Sequence, residues 1–330
     1  MRYSRISYFV LLLLLACQPK AEESTETVVT TDITHFWEAF DRIRTEKDPE
    51  KQIDLFESLY VERGTIGLAE IMEARDYTAE EYVELINRYP KYWNSLRNNT
   101  LKAANIAAEL TEGIQKLKAI YPDLQPATIY FTIGAMRTNG TTKENYVLIG
   151  SELAMADTAT DISEFEGRTK TWLEGYFGTN PIESIVLLNV HEYVHTQQKS
   201  IPQKLCYQVL YEGVAEFVST LAMGVPSESP AIEFGKRTPA VREKFEKEMF
   251  TGKTQEWLWS SAPNEFGVRD LGYYIGYAIA ENYYQRSEDK QLALKTLIEL
   301  DYDDTKAVDT LIDASVFYSK PMDELRADFY

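Results

Sequence analysis

The sequence predicts an α+β fold that is mainly helical and contains one small antiparallel sheet. Residues 35–121 place apolar side chains at three- and four-residue spacing, the period of an amphipathic helix. Between residues 126 and 153 the pattern changes to β-branched and aromatic residues, and helical patterns return from about residue 179. The chain therefore divides into a helical N-terminal region, residues 35–125, and a mixed region, residues 126–330.

The composition limits the classes of partner. The chain has 330 residues, of which 44% are hydrophobic, and a formal charge of −18. A chain of this size and composition can bury a sizeable core. Phosphate binding needs clustered Lys and Arg, so this acidic balance argues against a nucleic-acid partner.

The N-terminus is expected to be a lipoprotein signal. Two arginines precede a short apolar run that ends in the letters LLAC at residue 17, which resembles a bacterial lipobox. We expect residues 1–16 to be a signal peptide and Cys17 to carry a lipid. Residues 17–34, which are rich in Glu and Thr, would form a flexible tether. An ordinary signal peptide with an incidental cysteine is the alternative.

This N-terminus predicts both a location and the absence of a disulfide. A lipid on Cys17 would anchor the protein to a membrane of a bacterial cell envelope, on its periplasmic or surface face. The other cysteine, Cys206, would then have no intramolecular partner. The domain must therefore be held together by its core, and Cys206 is expected to be a small buried hydrophobe.

Two segments between residues 126 and 153 have strand character. ATIYFTIGAM and NYVLIGSELA are separated by RTNGTTKE, which contains a strong Asn-Gly turn signal. The pattern predicts a β-hairpin or two neighbouring antiparallel strands.

The segment HEYVHTQQ, residues 191–198, contains two of the three histidines of the chain. His191 and His195 are four residues apart, so on a helix both imidazoles can reach one tetrahedral metal ion. Glu192 is turned by about 100° around the helix axis. It would lie beside the metal, where it can take a proton from a zinc-bound water. The alternative is a pair of histidines satisfied by backbone or carboxylate partners.

The helix that carries this motif is predicted to begin at Pro181. Asn180 occupies the N-cap position, and Glu183 stands where a capping box places it. The apolar run that follows, IVLLNV, must be buried.

A third ligand for the metal can be sought by elimination. The remaining histidine, His35, is far upstream and is expected to be structural or solvated. Gln198 and Ile201 hold the positions where a zinc site with three histidines would need Gly and His. A carboxylate on a following helix is therefore expected. Glu212 and Glu216 lie four residues apart in an otherwise apolar segment, where buried glutamates need a partner. A helix with both carboxylates on its solvent side is the alternative.

These segments resemble known metallopeptidases. HEYVHTQQ followed by EGVAEF is similar to the gluzincins, whose third ligand lies in an NEGFAEY-like segment. With IYFTIGAMRTNGTT, VLIGSEL, EGVAEFVSTL and LGYYIGYAIAENYY, they resemble a family of bacterial predicted zinc-dependent proteases. That family includes many lipoproteins and is distantly similar to gliding-motility lipoproteins. The resemblance covers about residues 128–286.

The resemblance implies a zincin-like metallopeptidase region in residues 126–330, with the small sheet next to the active-site helix. It implies a zinc-dependent peptidase that acts on a peptide or protein substrate. In zincins an edge strand pairs with the extended substrate, and IYFTIGAM or VLIGSEL could be that strand. Alternatively, the hairpin only covers the core.

The resemblance also implies roles for individual residues. Glu212 matches the ligand glutamate of the gluzincin segment, so Zn²⁺ is expected on His191, His195 and Glu212, with Glu192 as general base. Glu216 would hold the far N–H of one imidazole. Gly213, which has no Cβ, would let this helix approach the active-site helix closely.

An oxyanion donor is expected in GYYIGY. Tyr273 and Tyr277 lie four residues apart, and downstream tyrosines have this role in some related enzymes. Core packing of these tyrosines is the alternative, and Arg237 is a weaker candidate.

Two other functions remain open. The protein could be a catalytically silent zinc-containing binding or assembly lipoprotein of the cell envelope. It could also be a structural protein with a closed four-ligand site, although the sequence offers no obvious fourth ligand.

Overall fold

The computed structural model of the protein describes residues 27–259 and 264–329. The expected signal peptide, the lipidated Cys17 and the first part of the tether lie outside the described residues. The described residues are 63% helical and include a small four-stranded sheet, which confirms a mainly helical α+β fold. The strands are β1 Val28–Val29, β2 Thr128–Thr132, β3 Gly140–Lys143 and β4 Tyr146–Gly150. The helices are α1 Thr31–Ile43, α2 Pro49–Phe56, α3 Ile66–Arg75, α4 Ala79–Arg88, α5 Pro90–Thr100, α6 Ala103–Ile120, α7 Ser151–Ala154, α8 Gly167–Phe177, α9 Ile185–His195, α10 Leu205–Met223, α11 Pro230–Arg237, α12 Pro239–Glu248, α13 Thr254–Trp257, α14 Gly272–Arg286, α15 Lys290–Ile298, α16 Thr305–Ser315 and α17 Met322–Phe329.

The sheet is mixed, so the prediction of an antiparallel sheet was wrong. Its strand order is β1-β2-β4-β3, and β2 is parallel to both β1 and β4. Only β3 and β4 form an antiparallel pair. The Asn-Gly signal does not close a hairpin between β2 and β4, because Gly140 already belongs to β3. The turn instead falls at Glu144, which has a left-handed φ of 52°.

The folded chain begins before residue 35. Val28 and Val29 pair with Ile129 and Tyr130 of β2, and α1 starts at Thr31. The predicted tether was therefore too long at its C-terminal end. The local sequence is polar, and the pairing of β1 depends on residues about one hundred positions away, which local composition does not show.

Helix α9 begins four residues later than predicted. Pro181–Ser184 form a short 3₁₀ segment, and the α-helix starts at Ile185. Asn180 has a left-handed φ of 58° and makes no side-chain cap. An N-cap residue normally has extended backbone, which turns its side chain toward the free N–H groups of the first turn.

The centre of the fold is the packing of α10 against α14 and α9. A Cβ on Gly213 would lie 2.1 Å from the carbonyl carbon of Gly276, so α10 and α14 cross backbone to backbone. Gly213 does permit a close approach, but the helix it faces is α14 and not the expected α9. Cys206 of α10 is buried and free, and burial raises the pKa of its thiol to about 12.

Among the described residues, no helix combines the length and apolar character needed to cross a membrane.

The loop after β2 is held by a fully buried carboxylate, Glu152. Its two oxygens accept the backbone N–H groups of Gly134, at 2.7 Å, and Met136, at 2.9 Å. Burial outweighs these hydrogen bonds and raises the pKa of Glu152 to about 7. The folded protein therefore binds a proton here that the unfolded chain releases at lower pH.

This carboxylate predicts a pH-dependent contribution to stability. The contribution is fully present below pH 4.5, the ordinary value, and is lost as the pH rises through about 7. The difference between the two pKa values corresponds to about 3 kcal/mol in the free energy of unfolding. The Glu152→Gln variant lacks this titrating carboxyl. Between pH 4.5 and 8, its free energy of unfolding should therefore rise relative to that of the wild type by up to this amount. Urea unfolding at both pH values measures it. Parallel pH profiles would contradict the assignment.

Candidate metal centre

Helices α9 and α10 bring three side chains to one point. His191 and His195 lie one turn apart on α9, and Glu212 faces them from α10. The Nε2 atoms of the two histidines are 3.0 Å apart. Oε2 of Glu212 lies 3.5 Å from Nε2 of His191 and 3.4 Å from Nε2 of His195. A tetrahedral ion with bonds of about 2.0–2.1 Å separates its ligand atoms by about 3.3 Å. The three atoms therefore fit one face of a tetrahedral site.

The far side of the His191 ring is held by a carboxylate. His191 Nδ1 lies 3.1 Å from Oε2 of Glu216, one turn beyond Glu212 on α10. The other oxygen of Glu216 accepts the hydroxyl of Ser227. A proton on Nδ1 directs the lone pair of Nε2 toward the centre, so Glu216 fixes both the ring and its tautomer.

The ring of His195 is held in the same way by an amide. Its Nδ1 lies 2.6 Å from Oε1 of Gln198, and Nε2 of Gln198 donates to the carbonyl oxygen of Tyr211 at 3.0 Å. The ring of Tyr211 stacks on that of His195, with centroids 4.5 Å apart and planes 11° apart. Sequence reasoning considered Gln198 only as the residue that holds the glycine position of a three-histidine site. The signal available was its position, three residues after His195 near the end of the helix.

The charges of this cluster favour a cation. Burial alone lowers the pKa of His191, but hydrogen bonds to Glu212 and Glu216 and their charges outweigh burial and raise it to about 10. Burial raises the pKa of Glu212, yet the charge of His195 and hydrogen bonds from both histidines hold it well below its usual range. In this geometry a proton on His191 balances the buried carboxylate of Glu212 and the partly buried carboxylate of Glu216. A bound metal ion would replace that proton.

Glu192 lies beside the ligand atoms. It is partly buried and packs against β3, where a Cβ on Gly140 would lie 3.2 Å from its Oε1. Burial raises the pKa of Glu192, while the charges of His195 and His191 lower it. This is the position that the 100° turn around the helix axis predicts.

The structure separates the two candidate tyrosines. The ring of Tyr273 lies 6.2 Å from that of His191, and burial together with the charge of Glu212 raises the pKa of Tyr273 well above its usual range. Tyr277 packs its ring edge-on against Phe217 and lies beneath the ammonium of Lys236. Among the described residues, Tyr277 makes no hydrogen bond and no ring contact to the three ligand side chains. The shared helix face does not bring both tyrosines to the three ligand side chains, because α14 crosses α10 at Gly276, between the two tyrosines and next to Tyr277.

Arg237 lies away from the centre. Its side chain is 69% exposed and pairs with Glu233 one turn earlier on α11.

In the described part of the chain, one group of His, Cys, Asp and Glu side chains can hold a metal ion. It consists of His191, His195 and Glu212, all buried, with ligand atoms within 4.8 Å of one another. Comparison of the chain with models of known families, with curated proteins and with solved structures finds no match.

Proposed function

We propose that this protein is a zinc-dependent peptidase. The observation that supports it most is the buried triangle of two imidazole nitrogens and one carboxylate oxygen, with Glu192 beside it but outside it. Two imidazoles and one carboxylate in tetrahedral geometry are the donor set of catalytic zinc sites. The motif resemblance to gluzincins supports the same activity.

The residues around the centre have separate parts in the proposed reaction. Zinc bound there would polarise the scissile carbonyl and lower the pKa of a water molecule. Glu192 Oε1 would accept a proton from that water and pass it to the leaving amine. The hydroxyl of Tyr273 would donate a hydrogen bond to the oxyanion. Glu216 and Gln198 would keep both imidazoles oriented throughout.

The edge strand suggests how a peptide is held. β3 is the last strand of the sheet. The sequence had suggested IYFTIGAM or VLIGSEL for this edge, but these segments form β2 and β4, which lie inside the sheet. Gly140 starts β3, and a Cβ at this position would lie 3.2 Å from Oε1 of Glu192. An extended peptide added along β3 would carry a peptide bond past the carboxylate of Glu192.

The ligand count favours catalysis over a structural metal site. The described group has three members, whereas structural zinc sites usually close with four protein ligands. A silent binding lipoprotein with the same three ligands is the rival function.

Metal analysis of the purified protein followed by cleavage of a broad peptide library tests the proposal. We expect one zinc per chain and cleavage that stops on chelation and returns with added zinc. A zinc-loaded protein that cleaves no peptide would favour the silent binding protein, and a protein without zinc would contradict both.

We also propose that Cys17 anchors the protein to a membrane of the cell envelope. The Cys17→Ser variant should appear outside the membrane fraction or as an uncut precursor, because serine offers no thiol for the lipid. Cell fractionation with immunodetection measures both outcomes, and Cys206→Ser is the matched control. Normal cutting and membrane retention of the Cys17 variant would refute the anchor.

A further inference from the structure

Arg75 reaches the proposed cleft from the helical N-terminal region. It is the last residue of α3, and its Nη2 lies 3.4 Å from Oγ1 of Thr138. That hydroxyl donates to the carbonyl oxygen of Gly140 at 2.6 Å. Gly140 in turn packs against Glu192. The guanidinium therefore lies at the first residue of β3, one side chain away from the proposed general base.

The N–H groups of Arg75 have few hydrogen-bond acceptors. Its Nε is buried and has no hydrogen-bond partner, and the contact to Thr138 is long. Among the described residues Arg75 has no ion pair. A buried donor without an acceptor is costly, and Arg75 as a whole is only partly buried, so an acceptor from outside the chain can approach its guanidinium.

The other cations near β3 already have partners. Arg137 pairs with Glu81 and stacks on Tyr77, and its Nη2 donates to the carbonyl oxygen of Arg75. Lys143, at the far end of β3, pairs with carboxylates of α3. Of these three cations, Arg75 is the one without an ion pair among the described residues.

The charge around the centre makes this cation significant. The carboxylates of Glu192 and Glu216 lie beside the ligand side chains, and each repels an anionic group that approaches it. The guanidinium of Arg75 is linked to Glu192 through the hydroxyl of Thr138 and the first residue of β3, Gly140. A carboxylate near Arg75 would gain charge-assisted hydrogen bonds, with the planar fork of guanidinium matched to its two oxygens.

We propose that Arg75 binds a carboxylate of the substrate peptide, next to the bond held over Glu192. This inference rests on the proposed peptidase function and adds a preference for a negatively charged peptide. The carboxylate is either the free C-terminus or an Asp or Glu side chain, and peptide chemistry can distinguish the two.

Binding to a zinc-loaded Glu192→Gln protein tests the inference without turnover. The probes are N-acetylated hexapeptides of Ala and Phe in three forms: with a free C-terminal carboxylate, with a C-terminal amide, and with the amide plus Glu in place of one Ala. Calorimetry should show tighter binding of one or both charged forms than of the neutral amide. The charged form that gains affinity identifies the source of the carboxylate.

Substitutions then assign the preference to one residue. Adding Arg75→Met should lower the affinity for the charged peptide by about 10- to 100-fold, the effect of losing a hydrogen bond to a charged group. The affinity for the neutral amide should not change. Arg75→Lys should keep part of the preference. Arg88→Met, which removes an exposed arginine of α4 paired with Glu84, is the matched control. Zinc content should be the same in every variant, which excludes a folding defect.

The results distinguish this inference from the peptidase function. A charge preference that depends on Arg75, in a protein whose wild type cleaves no peptide, would support the subsite and refute the peptidase. Equal affinity for all three forms, no binding of any form, or a preference that survives in Arg75→Met would overturn the role of Arg75. Cleavage by the wild type would then still support the peptidase.

Discussion

Replacement of Glu192 by glutamine is expected to remove most of the proposed peptidase activity and to leave zinc binding intact. Glutamine has nearly the same shape, so it can keep the contact with Gly140, but it cannot accept a proton as a base. General-base assistance typically contributes about 10²–10⁴-fold to the rate. The ligand triangle does not include Glu192, so its charge is not needed to complete the site.

Two measurements on the same sample test this expectation. Metal analysis gives the zinc content, and initial rates on a cleaved library peptide give kcat/KM. Glu183→Gln is the matched control, because Glu183 is exposed in the 3₁₀ segment just before α9. Loss of zinc from the Glu192 variant would make Glu192 a ligand, and full activity would exclude it as the base.

The parts of the site that the sequence predicts are those that depend on one helix. The four-residue spacing of His191 and His195 fixes their shared face, and the next position fixes the side on which Glu192 lies. The same spacing relates Glu212 and Glu216 on α10. Helical geometry is nearly independent of the rest of the chain, so such relations can be read without the fold.

The parts that the sequence misses depend on how distant segments meet. The role of β3 depends on its pairing with β4 and on its contact with α9. Tyr277 shares a helix face with Tyr273 but is directed to Phe217 by the crossing of α14 over α10. The hydrogen bond from Ser227 to Glu216 joins a loop to a helix. No periodic pattern in the sequence encodes these distances.

The pairing of β1 with β2 is a part of the fold that the sequence misses for the same reason. Polar residues before Val28 predict a tether, and two valines alone are too short to predict a strand. Their pairing partner, β2, begins at Thr128. Long-range strand pairing is decided by the assembled sheet rather than by local composition.

The two glutamates of α10 should respond differently to removal, because they face opposite sides of one imidazole. Oε2 of Glu212 lies within 3.5 Å of both Nε2 atoms, on the side of the proposed metal ion. Oε2 of Glu216 lies 3.1 Å from Nδ1 of His191, on the far side. Glu212→Ala should therefore abolish stoichiometric zinc binding, since two imidazoles alone leave the site incomplete.

Glu216→Ala should retain zinc with an affinity lowered by about 10- to 100-fold, the usual effect of removing a carboxylate that orients a ligating imidazole. Without Glu216 the ring of His191 can rotate, and its Nδ1–H loses its acceptor. Competition with a chelating indicator gives both affinities, and Glu183→Ala is the matched control for removing a carboxylate outside the site. If the affinity collapses in the Glu216 variant and survives in the Glu212 variant, Glu216 is the ligand and Glu212 the residue that orients it.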